Sequence, residues 1–596
     1  MAYQFVADLE NFLRGKYEKF PAGTVIVPEA CPPGMTGDLT VNCFRFAKSC
    51  GNPMVVAAET AAFLKQHADV EQAEAVKAFV NVTLKPGALH RDSVADVQRL
   101  LEAGRLPESE RRRILIEFSA PNTNKPQHLG HVRNNTLGMS LGSLLKRVGH
   151  DVVEINLVND RGIHICKSMI AYERFGNGCT PESTGMKGDH LVGKFYVDYN
   201  KALSEEIKAL KAARPELAER ESEELFLETE LGAATQKMLQ DWEAGDPQVR
   251  ALWRKMNDWV FAGFAETYER MGIHFDHTYL ESETYLLGKD IIAAGLEKGV
   301  FTKREDGAVI CDLGKLGKKV VLRSDGTSVY ITQDIGTTLR KYEDYRPESM
   351  VWVVGDEQNL HFQMLFSIME RLGYDWAKNL FHLSYGMVNL PTGKMKSREG
   401  TVVDADDLFD EMASLAMEAC RERGAEELTP EELKRRGEII GLGALKFMLL
   451  KFNPKTTIMF DPAASLRFEG DTGPYVQYVA ARINSIRRKA AERGIDFNPE
   501  AVDWSLLGHA SEKLLAVTAS FYPAVLHLAA ERKDCSGLVE YLLNLGKAFN
   551  SFYRECPVLA AETPELAAAR LALSGAVREI IVDGLSTLTI QVPEAM

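Results

Sequence analysis

The sequence lacks a Cys-x-x-Cys pair, and it lacks any run near the roughly 18 consecutive apolar residues that a membrane helix needs. Its nine cysteines are scattered, so we expect reduced thiols rather than a disulfide framework or a zinc site. Residues 1–15 include Asp8 and Glu10 and have no long apolar core, so we expect no signal peptide. These absences favour a cytoplasmic protein without a membrane partner.

The chain also lacks an excess of positive charge. Its 70 Lys and Arg stand against 84 Asp and Glu, which gives a net charge of −14. Because phosphate binding needs clustered cations, this balance argues against a protein that coats nucleic acid without specificity, but it allows a local basic patch. The 596 residues, 45% of them hydrophobic, exceed what one core usually serves, so we expect several globular domains.

A strand–helix–strand unit is predicted in the first half of the chain. Residues 114–118 form an apolar run of strand length, and apolar residues at helical spacing follow over 129–148. Gly149 stands where a helix often ends, and 152–158 is a second strand. Two parallel strands joined by a helix are the building block of an open parallel sheet. With a further strand at 350–354, this unit predicts a doubly wound, Rossmann-like domain.

Changes in composition and residue pattern along the chain predict its division into domains. Residues 1–108 mix strand-like and helical patterns, which indicates a small α/β domain. Residues 109–390 hold the parallel-sheet domain, interrupted near 176–265 by a polar helical insertion. Residues 391–455 are a connecting, mostly helical region, and 456–596 are predicted to be all-helical. The fold class is therefore α/β with a helical carboxy-terminal domain.

Two local patterns give further predictions. Alternation over residues 39–46 predicts a strand, because successive side chains of a strand point to opposite faces. Asp325-Gly326 predicts the turn of a β-hairpin, since this pair adopts the left-handed conformations that a tight hairpin turn requires.

The most informative segment, 119–131, reads Ser-Ala-Pro-Asn-Thr-Asn-Lys-Pro-Gln-His-Leu-Gly-His and joins the first predicted strand to its helix. Open parallel sheets bind ligands beyond the carboxyl ends of their strands, and a helix N-terminus favours anionic groups. His128 and His131 can point the same way, and Gly130 leaves room for a base or a phosphate. Histidines that bind a phosphoryl group best in its transition state would speed adenylyl transfer. The alternative is that both histidines only cap the helix.

This segment resembles the first motif of the class I aminoacyl-tRNA synthetases, and the part that contains Lys125 is similar to the arginine members. The segment 394–400, Lys-Met-Lys-Ser-Arg-Glu-Gly, resembles the second motif, whose lysine would stabilise the pyrophosphate. The class usually has another lysine where Ser397 stands. Arginine members often share this departure, and a lysine before the first motif, here Lys125, is thought to replace it. The resemblance implies catalytic roles for His128, His131, Lys125 and Lys394, and ATP contacts for His128, Gly130, His131 and Lys394.

A second segment, Tyr-Ile-Thr-Gln-Asp at 330–334, resembles the family's arginine-binding sequence. A guanidinium presents a rigid fork of donors that a carboxylate matches, which suits Asp334. Alternatively, Asp334 caps a helix that begins near Ile335, and the two roles are compatible. No role is assigned to 158–162, where Arg161 differs from the commoner family residue. The resemblance implies that arginine binds to Glu117, Ser119, Asn122, Tyr330, Asp334 and Gln358.

The carboxy-terminal region has a signal of its own at 469–478, which resembles the opening of the family's anticodon-binding helical domain. Basic residues follow along one predicted helix face, close to tyrosines. RNA loops suit such a face, because their splayed bases stack on aromatic rings while their phosphates meet cations. Without the family context, a solvated helix face is the simpler interpretation. The resemblance implies that tRNA binds to Tyr475, Tyr478, Arg482 and Lys489.

The resemblance implies a two-step reaction that needs ATP and Mg²⁺. The carboxylate of L-arginine would attack the α-phosphate of ATP, and the terminal ribose of tRNA(Arg) would then take the arginyl group at its 2′-hydroxyl. Such a reaction depends on positioning and charge stabilisation more than on a nucleophilic side chain. In the family, the first domain touches the outer corner of the tRNA and most members are monomers. We expect the same here, with no resident metal ion.

Three alternatives remain open at the level of the sequence. A class I synthetase for another amino acid shares the two motifs but should lack the Tyr330 and Asp334 pattern. A small-molecule adenylyltransferase would have no use for the long helical region at the carboxy terminus. A tRNA-binding relative without activity should have lost the histidine motif or the lysine segment, and both are present.

The replacement of a motif lysine by Ser397 generates a prediction about Lys125. Lys125→Ala should lower the rate of arginine activation far more than it weakens arginine binding, because the lost charge would act on the transition state. Pyrophosphate exchange at saturating arginine, compared with the KM for arginine, measures both effects. An unchanged rate would remove Lys125 from the reaction.

Overall fold

The computed structural model describes residues 3–20, 26–32, 34–390, 403–422, 428–495 and 501–596. The predicted lysine segment with Lys394 lies outside the described residues. The strands are β1 Glu29–Ala30, β2 Leu39–Asn42, β3 Val70–Val76, β4 Phe79–Leu84, β5 Arg113–Glu117, β6 Asp151–Val158, β7 His277–Leu280, β8 Phe301–Lys303, β9 Val309–Asp312, β10 Lys318–Leu322, β11 Ser349–Gly355, β12 Leu380–Tyr385, β13 Val388–Asn389 and β14 Ile458–Met459.

The helices are the larger part of the structure. They are α1 Gln4–Lys16, α2 Ala47–Cys50, α3 Pro53–Leu64, α4 Pro86–Ser93, α5 Val97–Glu102, α6 Leu129–Arg147, α7 Ile163–Phe175, α8 Pro181–Thr184, α9 Gly188–Ala213, α10 Ser222–Leu225, α11 Glu230–Ala244, α12 Pro247–Met271, α13 Glu281–Thr284, α14 Lys289–Glu297, α15 Tyr330–Tyr345, α16 Asn359–Arg371, α17 Ala405–Glu422, α18 Pro430–Leu450, α19 Pro462–Ser465, α20 Gly473–Glu492, α21 Ala510–Ser520, α22 Tyr522–Arg532, α23 Ser536–Glu555 and α24 Pro564–Thr587.

The central sheet is parallel and has the strand order β12-β11-β5-β6-β7. Its middle strand β5 is apolar and buried over Ile114, Leu115 and Ile116, as a strand covered by helices on both faces must be. From β5 the chain builds outward to β6 and β7, and it returns to the other side with β11 and β12. This reversal of strand order places a crevice beyond the carboxyl ends of β5 and β11. The predicted doubly wound domain is confirmed.

Helix α6 packs closely on the central sheet. A Cβ atom at Gly138 would lie 2.2 Å from the side chain of Phe118, so glycine permits the helix to approach the end of β5. The helix ends as predicted, because Gly149 follows it with a φ of 102°, a left-handed conformation that favours glycine. This packing fixes the first turn of α6 at the crevice.

A series of helices lies between β6 and β7. Helices α8 to α12 continue to Met271, slightly beyond the predicted limit near residue 265. They enclose a separate apolar core, in which Phe195, Tyr199, Val260 and Phe264 are buried. Helix α7 contributes Ile165 and Met169 to the same core, so the insertion packs against the helix that follows β6.

Two local predictions are only partly correct. The predicted strand over 39–46 ends at Asn42, because the Asn42 side chain accepts a hydrogen bond from the Phe44 amide and starts a 3₁₀ turn. The Asp325-Gly326 turn forms, and Gly326 has a φ of 79°. The predicted return strand does not form after this turn. A single isolated bridge joins Ser328 to Leu322, the last residue of β10.

The carboxy-terminal region is a bundle of helices, as predicted. Residues 510–532 include the one stretch, among those that the structure describes, that is apolar and long enough to cross a membrane, and 56% of it is buried in the protein. Such burial is typical of a core segment. The amino-terminal domain, an antiparallel sheet of order β1-β2-β4-β3 with its helices, packs on this bundle, where His90 stacks at 6.1 Å from Trp504.

Candidate active site

The two histidines of the first motif form the N-terminal cap of α6. Nδ1 of His128 accepts from the Gly130 amide at 3.1 Å, and Nδ1 of His131 accepts from the His128 amide at 3.1 Å. The ring centroids are 3.9 Å apart. Both histidines therefore cap the helix, and this capping has a chemical consequence. A neutral ring whose Nδ1 accepts carries its proton on Nε2, so both Nε2 atoms are donors suited to phosphate oxygens.

Burial keeps both rings uncharged. Burial, and then the positive charge of Lys125, lowers the pKa of His128 to about 4. Burial, His128 and Lys125 together hold the pKa of His131 well below its usual range. Gly130 lets the rings fold over the helix start, since a Cβ there would lie 2.9 Å from Cε1 of His128. The cap thus offers neutral donors close to one lysine.

The residues that follow β5 are held by neighbouring elements. Ser119 has a φ of 61°, which is uncommon outside glycine, and its Oγ is hydrogen-bonded to the Tyr268 hydroxyl at 2.7 Å. Asn122 forms a parallel bridge with Asn159, the residue after β6. The loop that carries these predicted arginine-binding residues is therefore fixed between two strand ends.

Glu117, the last residue of β5, forms a buried ion pair with Lys341. Only 10% of the Glu117 side chain and 2% of the Lys341 side chain are exposed, so the pair is shielded from solvent. Lys341 also lies 5.8 Å from the centroid of the Trp352 ring on β11. Glu117, a predicted arginine-binding residue, is therefore paired with a lysine of the protein itself.

Asp334 lies in the second turn of α15. The helix begins at Tyr330 and Val329 is its N-cap, so the idea that Asp334 caps a helix near Ile335 is wrong. Instead, Nε2 of His361 donates to Oδ2 of Asp334 at 2.6 Å. The Asp334 carboxylate is therefore oriented by a residue of the neighbouring helix α16.

Tyr330 lies beside this pair and is 65% exposed at the mouth of the crevice. Its ring is 5.5 Å from the His361 ring, and Gln358 immediately precedes α16 on the same side. The charge of Asp334, reinforced by the charges of Glu281 and Glu117, raises the pKa of Tyr330. The surroundings of its hydroxyl are therefore negative, which suits a cationic ligand.

The site contains residues that the sequence reasoning missed. Glu281 follows β7, and burial raises its pKa, although Arg161 opposes this shift. Arg161, which was given no role, stacks at 4.0 Å from the Tyr285 ring and pairs with Glu243 at 2.6 Å. Helical spacing offered a signal for Lys341, which stands two turns after Asp334, and the position just after Gln358 offered one for His361. Glu281, Arg161 and Tyr268 had no comparable signal.

The predicted tRNA-binding face is built across α20 and α23. The Arg482 guanidinium lies 4.6 Å from the Tyr478 ring and 5.3 Å from the Tyr553 ring, and Nη1 donates to Asn550 at 3.1 Å. Asn550 in turn donates to the Tyr475 hydroxyl at 2.8 Å. Lys489, two turns beyond Arg482, is exposed. Rings and a cation are therefore presented together on one face.

Three family descriptions match this chain. "tRNA synthetases class I (R), catalytic domain" matches residues 96–461, "Arginyl tRNA synthetase N terminal domain" matches 8–84, and "DALR anticodon binding domain" matches 476–596. The arginine–tRNA ligase of Parabacteroides distasonis is 46% identical over 566 residues, with 94% of each chain covered. The chain belongs to the class I arginyl-tRNA synthetases.

Other relatives agree with this membership. The arginine–tRNA ligase of Bacteroides thetaiotaomicron is 45% identical over 100% of this chain and 99% of its own. The Thermus thermophilus arginyl-tRNA synthetase structure superposes with a TM-score of 0.78 over 100% of both chains at 24% identity, which shows the shared fold. The fold expected from the resemblance is thus confirmed for this arginyl-tRNA synthetase along its whole length.

The neutral histidine cap predicts a pH-dependent loss of stability in this synthetase. The unfolded chain binds protons at both rings near pH 6.5, whereas the folded chain excludes them from His128 until about pH 4. The unfolded state therefore binds more protons in this window, and stability falls as the pH drops from about 6.5 to 4. The double variant His128→Asn/His131→Gln should lose at least about 3 kcal/mol less across the window, because the pKa shift of His128 alone accounts for about that much.

Urea unfolding at several pH values measures this difference. The wild-type chain is the reference, because every other titrating group is shared by the two proteins. Asn at position 128 retains an acceptor for the helix cap. Superimposable pH profiles for the two proteins would contradict a neutral, buried histidine pair.

Proposed function

We propose that this synthetase activates L-arginine with ATP and transfers the arginyl group to the 3′ end of tRNA(Arg). The observation that carries the proposal is the meeting of two unlike half-sites at one crevice. One half is the neutral histidine cap of α6 with Lys125, and the other is the acidic pocket around Asp334. Adenylation of a cationic amino acid requires such a pair of half-sites.

The acidic half binds the arginine side chain. Asp334 receives the guanidinium, His361 holds the carboxylate in place, and Tyr330 lies at its side. Gln358 and Asn122 contact the remainder of the amino acid, with Ser119 and Glu117 behind them. A neutral analogue could not balance the negative charge of Asp334, so discrimination against it is large and an editing domain is unnecessary.

The histidine half binds ATP. Nε2 of His128 and Nε2 of His131 donate to phosphate oxygens, and Gly130 permits close approach of the nucleotide. Lys125, with Lys394 of the second motif, offsets the charge that develops on the pyrophosphate. ATP enters as its Mg²⁺ complex, so the metal ion arrives with the substrate. The arginine carboxylate attacks the α-phosphate, and pyrophosphate leaves.

The transfer step and the domains follow the same proposal. Residues 456–596 bind the anticodon arm through Tyr475, Tyr478, Arg482 and Lys489, and residues 1–108 contact the outer corner of the tRNA. Residues 109–390 carry the chemistry, and 391–455 connect them to the helical domain. The enzyme works as a cytoplasmic monomer.

The proposed function predicts charging with a single amino acid. The purified protein, supplied with ATP and total tRNA, should attach arginine and none of the other nineteen amino acids. Pyrophosphate exchange with and without tRNA then tests whether tRNA is needed for activation. Charging with a different amino acid would agree with a class I synthetase but would contradict the proposed arginine-binding pocket. Exchange without charging would favour a small-molecule adenylyltransferase, and the absence of both reactions would favour a tRNA-binding relative.

The acidic pocket predicts a selective effect of Asp334→Asn. Losing the charge while keeping the shape should raise the KM for arginine about 10- to 100-fold, because a charge-assisted hydrogen bond is lost. The KM for ATP should change little. Asp344→Asn on the same helix is the control, since Asp344 pairs with Arg340 and Tyr279 away from the crevice. Equal effects of the two variants on the KM for arginine would remove Asp334 from the pocket.

A further inference from the structure

A short stretch of chain at the start of α17 runs antiparallel to the histidine motif and hydrogen-bonds to its backbone. The Leu129 amide donates to the Val403 carbonyl at 2.9 Å, and the Ala405 amide donates to the Gln127 carbonyl at 3.0 Å. His128 and Asp404 thereby form an antiparallel bridge. We name residues 403–405 the crossing segment. Its last residue, Ala405, is the first residue of α17, and its hydrogen bonds hold the backbone on both sides of His128.

One carboxylate ties the crossing segment to the helical insertion. Oδ2 of Asp406 lies 2.6 Å from Nζ of Lys187 and 3.2 Å from Nε2 of His190, and both residues stand at the start of α9. Oδ1 of Asp406 accepts from Oγ1 of Thr267 on α12 at 3.2 Å. Asp404 caps the same turn, because its Oδ1 accepts from the Asp406 amide at 2.8 Å. Three elements of the catalytic region therefore converge on Asp406.

These contacts make Asp406 a permanent anion. Burial by itself would raise its pKa, but hydrogen bonds from His190 and Lys187 outweigh burial and lower it to about 2. Ligand atoms of Asp189, His190 and Asp406 lie within 4.8 Å of one another, a spacing that a metal ion could use. The Lys187 ammonium already supplies the positive charge, at 2.6 Å from Asp406 and 3.4 Å from Asp189. The cluster is therefore an ion-pair network.

We propose that Asp406, held by Lys187, His190 and Thr267, is a positioning residue for adenylation. It fixes the crossing segment against Gln127–Leu129 and thereby fixes the backbone that orients both histidine rings. The inference rests on the proposed function, and it adds a role for the insertion, which supplies all three partners of Asp406. A displacement of about 1 Å at the reacting groups can cost about 100-fold in rate, so an anchor outside the crevice can control the chemistry.

The neighbouring turn of α17 provides a matched control. Asp410 pairs with Nη1 of Arg270 at 2.7 Å, and Arg270 stands one turn after Thr267 on α12. This ion pair links the same two helices as Asp406 does. The crossing segment is held by the contacts of Asp406, in which Asp410 takes no part. Asp410→Asn therefore removes an ion pair between α12 and α17 and leaves the contacts of Asp406 in place.

The test compares Asp406→Asn with Asp410→Asn in the full-length protein. We expect Asp406→Asn to lower kcat for pyrophosphate exchange about 10- to 100-fold, with the KM for arginine within about twofold of the wild type. Asp410→Asn should keep kcat near the wild-type value. Lys187→Arg should retain activity because it keeps the ion pair, whereas Lys187→Met should reproduce the loss. Thermal unfolding of each variant measures what the tie contributes to stability alone.

Hydrogen–deuterium exchange gives a readout that needs no enzymatic activity. Asp406→Asn should speed exchange of the Leu129 and Ala405 amides, and Asp410→Asn should leave them protected. If wild-type protein fails to exchange pyrophosphate even in the presence of tRNA, the proposed function fails, while the amide comparison still tests the anchor. Equal losses of kcat for the two Asn variants, or protected amides in Asp406→Asn, would overturn the positioning role.

Discussion

The Asn134 side chain joins the carboxyl ends of β5 and β11 at the point where the strand order reverses. Its Oδ1 accepts from the Ser119 amide at 2.7 Å, and its Nδ2 donates to the Val353 carbonyl at 2.7 Å and to the Tyr385 hydroxyl at 3.1 Å. A buried amide is stable only when its donors and acceptor are paired, so the strand ends and α6 must keep this arrangement. Both half-sites are placed relative to Asn134.

The two half-sites acquire opposite electrostatic characters by different physical means. Burial keeps His128 and His131 neutral, because a charged imidazole would lose its hydration. On the other side, Asp334 and Glu281 surround Tyr330 with negative charge, which a guanidinium can neutralise. A half-site of neutral donors and a half-site of negative charge can therefore lie in one crevice.

Connections between domains reach the same helix. The Arg133 guanidinium is fully buried and donates to the carbonyls of Met387, Pro454 and Thr456 at 2.8 to 3.0 Å. Asn453, the residue before Pro454, donates to Asp534 of the helical bundle at 2.9 Å. The first turns of α6 are thus held from the sheet, from the insertion and from the linker to the carboxy-terminal bundle. A helix held on three sides suits a reaction that depends on positioning.

The sequence by itself determined the elements whose patterns are local. The apolar runs that became β5, β6 and β11, the helical spacing of α6 and α16, and the glycine stop at Gly149 all followed from periodicity and backbone preference. The histidine motif between a strand and a helix also identified the crevice. These features depend on residues close together in the chain, so one sequence suffices to predict them.

The tertiary structure alone decided how the site is held. His361 orients Asp334, Lys341 neutralises Glu117, and Asp406 reaches Lys187 of the insertion, and each partner comes from a different element. Helical spacing points to Lys341 and the position after Gln358 points to His361, but neither signal shows which side chain they contact, and polar helix residues are mostly solvated. The 3₁₀ turn after Asn42 likewise depended on one side-chain hydrogen bond that alternation does not reveal. Contacts between distant segments exist only once the chain has folded, and these contacts determine which charges the site presents.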